Sequence, residues 1–185
     1  IQASQGTVNL TVQTVQRSGS YPSTVTLKKG AVATGGNYIW NVLADTTAEV
    51  NATTGIATFS NLVLKEGSIV TFQYVVNTFA TQNYKVPSED ADINTLSVRV
   101  KANESSTSSD LYNLVATIPG LTASTRVYFL SEGEDMRYEI KFGDDSVGRA
   151  LKDGEVVMFE YLVTSGEQAN DVDRFSYTGR MTDTL

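Results

Sequence analysis

The chain has 185 residues, 41% of them apolar, with a formal net charge of −7 and a pI near 4.6. It contains no cysteine and no histidine, which excludes disulfides, thiolate or imidazole metal ligands, and any Ser–His or Cys–His mechanism within this chain. An acidic chain without clustered Lys and Arg offers no nucleic-acid groove, and no apolar run approaches the roughly 20 residues of a membrane-spanning helix.

In chain order, the opening "IQASQGTV" shows no secretory signal and reads as the start of an excised piece. Short runs with partial alternation and β-branched bias follow at 8–15 (VNLTVQTV), 38–43 (YIWNVL), 56–64 (IATFSNLVL), 68–76 (SIVTFQYVV) and 94–100 (NTLSVRV). They continue at 126–130 (RVYFL), 137–142 (RYEIKF) and 155–163 (EVVMFEYLV). Each predicts a strand, and glycines such as Gly30, Gly55, Gly67, Gly120 and Gly154 punctuate them. The best helix candidate is 108–118, SSDLYNLVATI, with a Ser or Asp able to cap it. The expected fold is mainly β, two tandem antiparallel sandwich-like modules with little helix.

Self-comparison supports the tandem reading. "LKEGSIVTFQYVVNT" (64–78) and "LKDGEVVMFEYLVTS" (151–165) are identical at seven of fifteen positions, at an offset of 87. Weaker matches keep nearly that offset: LTVQ (10–13) with LSVR (96–99), WNVLAD (40–45) with VYFLSE (127–132), and IATF (56–59) with EIKF (139–142). They predict a first module over 1–88 and a homologous, acidic second module over 89–185. Residues 1–88 carry five basic and three acidic side chains, and residues 89–185 carry nine and 18. An uneven charge of this kind reads as a solvated acidic surface or as a contact face for a basic partner.

The copies differ most at one connection. Four residues, SNLV, join Phe59 to Leu64, but eight, GDDSVGRA, join Phe142 to Leu151. The longer connection carries Gly143, Asp144, Asp145, Ser146, Gly148 and Arg149, the candidate contact loop. As a calcium loop it lacks alternating ligands, because adjacent acids diverge on extended backbone. As a phosphate cradle it lacks a following helix and presents two carboxylates to an anion. Paired carboxylates serve glycosidases, but no spacing singles out a pair among 21 acids, and Trp40 alone makes a poor sugar platform. The aromatics Phe72, Tyr74, Phe159 and Tyr161 read as same-face packing. No catalytic residue, cofactor site or metal site is expected, and the chain reads as no enzyme. Exchanging GDDSVGRA for SNLV is expected to cost about 1 kcal/mol or less.

One long stretch carries a resemblance. "VPSEDADINTLSVRV" (86–100) and "RVYFLSEGEDMRYEIKFGDDSVGRALKDGEVVMFEYLVTSGEQAND" (126–171) are similar to the baseplate wedge protein of T-even-type contractile-tailed phages and its J-like relatives. The shared pattern runs from a VYFL-x-E strand through YEI-x-FGD-G-x-x-G to DG…V-x-x-x-Y-x-V-x-x-G…AN. It covers the second half well and the first half mainly through the internal match. The pattern usually has Gly where this chain has Asp145, and tends to have Gly where it has Asp171. The resemblance implies a structural virion component of the inner baseplate ring. Its implied partners are other wedge subunits and a second copy as a homodimer, with no nucleic acid, membrane or small-molecule substrate. It also implies assembly in the host cytoplasm and a part in the switch to sheath contraction. A carbohydrate- or receptor-binding β-sandwich module of an adhesin-like surface protein fits the same absence of Cys and His.

Overall fold

Alternating apolar and polar side chains bury one face of strands such as Thr24–Leu27 and Ile56–Glu66, and glycines supply reversals between strands. The computed structural model describes residues 1–185 and places fifteen strands along the chain. They are β1 (Gln5–Gln13), β2 (Thr24–Leu27), β3 (Gly30–Gly35), β4 (Tyr38–Val42), β5 (Thr46–Glu49), β6 (Ile56–Glu66), β7 (Ser68–Val75) and β8 (Tyr84–Lys85). Then come β9 (Ala91–Lys101), β10 (Asp110–Leu114), β11 (Val127–Glu132), β12 (Tyr138–Phe142), β13 (Val156–Val163), β14 (Ser176–Tyr177) and β15 (Met181–Asp183). Helix is confined to two single 3-10 turns, Val115–Thr117 and Gly166–Ala169. The protein is mainly β, built of antiparallel sheets in a sandwich-like fold, with β10–β11 as a parallel pairing.

All eight strands expected from the pattern are present. The helix expected over 108–118 is not. Its first half is β10, whose Asp110, Leu111 and Tyr112 pair with Val100, Arg99 and Val98 of β9. Tyr112 is buried while Leu111 is 46% exposed, the alternation of a strand. The free edge of β9 supplies backbone partners that outweigh a weak helical pattern.

The chain divides into two compact units. The central unit is Val70–Val163, with Ile1 assigned to it; the terminal unit joins Gln2–Ile69 to Thr164–Leu185. The expected cut between residues 88 and 89 therefore falls inside the central unit. Residues 70–88 belong there because β7 adjoins β13 and β8 pairs with β12. Residues 164–185 return to the terminal unit, where β14 pairs with β3 and β15 with β2.

The central unit holds one sheet in the order β7-β13-β9-β10-β11-β12-β8. Its core includes Val86, Val98, Ile140, Val157 and Phe159, each at most 1% exposed. Edge-to-face rings run through it, with centroids 5.8 Å apart for Tyr74–Phe159 and 5.5 Å for Tyr74–Tyr84, Tyr84–Phe142 and Tyr112–Phe142. Of the aromatics read as packing, Tyr74, Phe159 and Tyr161 lie in or against this core, while Phe72 is 39% exposed and meets only the Tyr74 ring, at 5.1 Å. The Tyr74 hydroxyl donates to the Lys85 carbonyl at 2.9 Å, so the outermost strands of the sheet approach each other.

The terminal unit holds a five-stranded sheet, β1-β6-β4-β3-β14, and a three-stranded one, β15-β2-β5. Leu27, Val32, Trp40, Phe59, Leu64 and Ala169 form its core. Trp40 is 2% exposed, donates its indole N–H to the Gly35 carbonyl and meets the edge of Phe175 at 5.0 Å. It is a core residue and presents no stacking surface to a sugar.

The matched segments 64–78 and 151–165 do not hold equivalent places in two modules; their strands adjoin in one sheet. The Val76 N–H donates to the Glu155 carbonyl, and the Gly154 N–H to the Val76 carbonyl. The satellite matches disagree in pairing too. β1 pairs with β6, but the segment matched to β1 lies in β9, which pairs with β13 and not with β12. The strongest of the matches thus lies on neighbouring strands, β7 and β13.

Candidate functional site

The connection between β12 and β13 is built on two glycines in contact. A Cβ on Gly143 would lie 2.1 Å from the Gly148 carbonyl carbon, so no other residue fits there without moving backbone. Gly148 has φ +82, and a Cβ on it would meet Val127 Cγ2 at 2.7 Å. Both glycines are fixed by close approach, and Gly148 also by a left-handed backbone.

The acids between them are spent on the loop itself. Asp144 Oδ1 accepts the N–H groups of Ser146 at 2.9 Å and Val147 at 3.0 Å, an Asx turn. These donors, Val147 first, hold the Asp144 carboxyl below its ordinary value. Asp145 Oδ1 accepts the Ala150 N–H at 2.8 Å, and the Asp145 N–H donates to the Gly148 carbonyl at 2.9 Å. The loop is then pinned to the 122–125 turn. The Gly148 N–H donates to the Thr122 carbonyl at 3.0 Å and the Arg149 N–H to the Thr125 carbonyl at 2.9 Å.

Arg149 turns inward. Its Nη1 donates to the Tyr112 hydroxyl at 2.7 Å and to Glu155 Oε2 at 3.1 Å, and its Nη2 donates to Glu155 Oε1. Glu155 Oε2 also accepts the Lys152 N–H at 2.8 Å. The side chains of Arg149 and Glu155 are 24% and 11% exposed. The Glu155 carboxylate is the first cause raising the Arg149 pKa; burial raises that of Tyr112, and Arg149 partly offsets it. A bidentate pair with so little solvent is structural. Of the candidate contact loop, Arg149 is thus engaged by an internal contact. Asp144, Asp145, Ser146 and Val147 stay exposed at the tip, Val147 at 46%.

Sequence reading missed Tyr112, Glu155, Thr122 and Thr125 as the anchors of this loop. Glu155 had a signal: it is an acid directly opening the apolar run VVMF, whose Val156, Val157 and Phe159 are buried. The turn at 122–125 had none.

No group of three or more acidic side chains is gathered to hold a metal ion. Elsewhere in the central unit Asp135 pairs with Lys85 at 3.1 Å, and Glu89 with Arg137 at 3.7 Å. Lys85 is the first cause holding the Asp135 carboxyl below its usual value. The chain matches no known family and no curated protein.

Proposed function

We propose that this protein is a structural component of a contractile-tail baseplate wedge, acting through subunit–subunit contacts in the inner ring and coupled to sheath contraction. The observation that carries the reading is conformational. The two positions where the chain departs from the wedge pattern are Asp145 and Asp171, and both have left-handed backbone, with φ of 63 and 67. Glycine is the residue that adopts this conformation freely, and Asp is among the few others that tolerate it. At both positions, therefore, a glycine would also fit the backbone found here. Support also comes from the use of the motif's groups. Gly143, Gly148, Asp144, Asp145 and Arg149 all serve backbone closure or an internal ion pair.

The test is localisation and partner choice. Labelled antibody against this chain, applied to intact contractile tails of the phage encoding it, is expected to mark the baseplate in electron micrographs. The isolated protein is expected to co-purify with wedge subunits encoded beside it. Unlabelled baseplates, or specific binding to an arrayed glycan without any tail association, would overturn the proposal in favour of an adhesin-like module.

A further inference from the structure

Strand β1, QGTVNLTVQ, is an edge of the terminal unit's five-stranded sheet, and its nine residues include no charge and no proline. Edge strands are normally protected by such residues, because an unprotected row of N–H and C=O groups templates another strand. The Ser4 carbonyl accepts the Glu66 N–H, and the Thr14 N–H donates to Gly55, so even-numbered residues turn their backbone toward β6. Thr7, Asn9 and Thr11 turn theirs outward, where these backbone groups meet no partner in the fold, while Asn9 Oδ1 accepts the Asn61 N–H of β6 at 2.8 Å. Their side chains are exposed, while Val8, Leu10 and Val12 are only partly buried against the core. Val8 and Leu10 also line a cavity of about 220 Å³ with Val32, Leu62, Leu64 and Phe175. The chain's other long uncharged edge, β7, is partly closed, since Gln82 Nε2 donates to the Val75 carbonyl at 2.8 Å.

The sequence of β1 is close to a palindrome about Asn9. Turned on itself antiparallel, it sets Gln5 against Gln13, Thr7 against Thr11, and Asn9 against its own copy. On the other face it sets Val8 against Leu10. All the outward-facing residues then meet one another, so every facing pair among them exchanges two backbone hydrogen bonds. Like side chains also meet on each face of the joined sheet. The β-bulge needed for the β1–β6 register lies in β6, at Asn61 with φ 52, which leaves β1 regular. We infer that β1 is a self-association surface, through which two copies of this chain join by antiparallel β1–β1 pairing centred on Asn9. The inference names the surface of a homodimer and does not depend on the baseplate reading.

The test is sedimentation equilibrium of the purified chain and two exposed double variants. Thr7→Lys with Thr11→Lys sets Lys against Lys twice and is expected to weaken dimerisation by about tenfold or more. Thr7→Lys with Thr11→Glu sets Lys against Glu and is expected to restore it to about wild type. It also controls for folding, since it carries the same Lys at position 7. Because the chain lacks cysteine, Asn9→Cys gives an independent readout. Facing residues about 5.5 Å apart suit a disulfide, so oxidised Asn9→Cys is expected to run as a covalent dimer, while Val15→Cys, beyond the strand, does not. A monomeric wild-type chain at about 100 μM, roughly a hundredfold above a micromolar Kd, overturns the inference. So does a dimer indifferent to both charge variants, or equal crosslinking at both cysteine positions. None of these outcomes bears on tail localisation.

Discussion

Glu155 holds more of the β12–β13 connection than either exposed aspartate. It accepts two donors from Arg149 and the Lys152 N–H while 8% exposed. Removing its charge leaves a guanidinium with little solvent and only neutral acceptors, the Tyr112 hydroxyl and one amide oxygen, and sets an NH2 donor where the second carboxylate oxygen stood. Glu155→Gln is therefore expected to cost about 2 kcal/mol in chemical unfolding. Arg149→Lys is also expected to destabilise, because an ammonium cannot make the paired contact of the guanidinium fork. Asp144 acts differently. Its carboxyl is lowered by the Val147 and Ser146 N–H groups. A group lowered on folding contributes above its unfolded pKa, and that contribution is lost as pH falls through the lower folded value. Asp45 and Asp135 have the same sign, with Lys28 and Lys85 as first causes. The Ser146 and Val147 amide resonances are expected to titrate below the ordinary Asp range of about 4. Asp144→Ala is expected to abolish that titration, and an unchanged titration in the variant would contradict the Asx turn.

At the scale of elements, strands were legible and their partners were not. VNLTVQTV, SIVTFQYVV and EVVMFEYLV became β1, β7 and β13 because alternation and β-branching act locally. Pairing depends on the whole chain, and the best internal match turned out to join neighbours within one sheet. β2 and β5 escaped notice because TVTL and TTAE are too short for a periodic signal, and β3 because GAVATG has Val32 as its only large apolar side chain. The candidate loop was legible as a glycine-bounded excursion, and Asp144 and Asp145 are exposed at its tip. What the sequence hid was Arg149's partner, since Tyr112 comes 37 positions earlier. That contact changes the expected result of replacing GDDSVGRA by SNLV. The exchange deletes Arg149 and strands the Glu155 carboxylate against a buried hydroxyl. A loss of about 3 kcal/mol is expected, not about 1 kcal/mol. Exchanging only Asp144–Val147 for a Gly/Ser turn, with Gly143, Gly148 and Arg149 retained, is expected to cost about 1 kcal/mol. Equal losses in the two variants, read from urea midpoints, would mean that Arg149 anchors nothing.

At the scale of the whole molecule, chain order and compact units disagree, and this decides which fragments fold. The chain crosses between units at 69/70 and again at 163/164. The terminal unit needs its last 22 residues, Thr164–Leu185, for more than two short strands. Glu66 is 3% exposed, and its carboxylate accepts the Thr164 hydroxyl at 2.5 Å and the Ser165 N–H at 3.0 Å. Ser4 donates its hydroxyl to the Gly166 carbonyl at 2.7 Å. Phe175 covers the edge of Trp40. Cutting at 88/89, as the tandem match invites, strips these partners from residues 1–88. It strips the Glu66 carboxylate of both donors and opens its site to solvent, on top of uncovering the tryptophan. It also separates β7 from β13 and β8 from β12 in the other half. Fragment 1–88 is therefore expected to show no cooperative thermal transition by near-ultraviolet circular dichroism. Fragment 70–163 carries a complete sheet and core, and is expected to melt cooperatively alone. Removing 164–185 from the full chain is expected to abolish the Trp40 signal while the central unit's transition persists. A cooperative melt of 1–88 with native-like tryptophan ellipticity would show that the terminal residues are an addition to a self-sufficient module, and would restore the tandem arrangement.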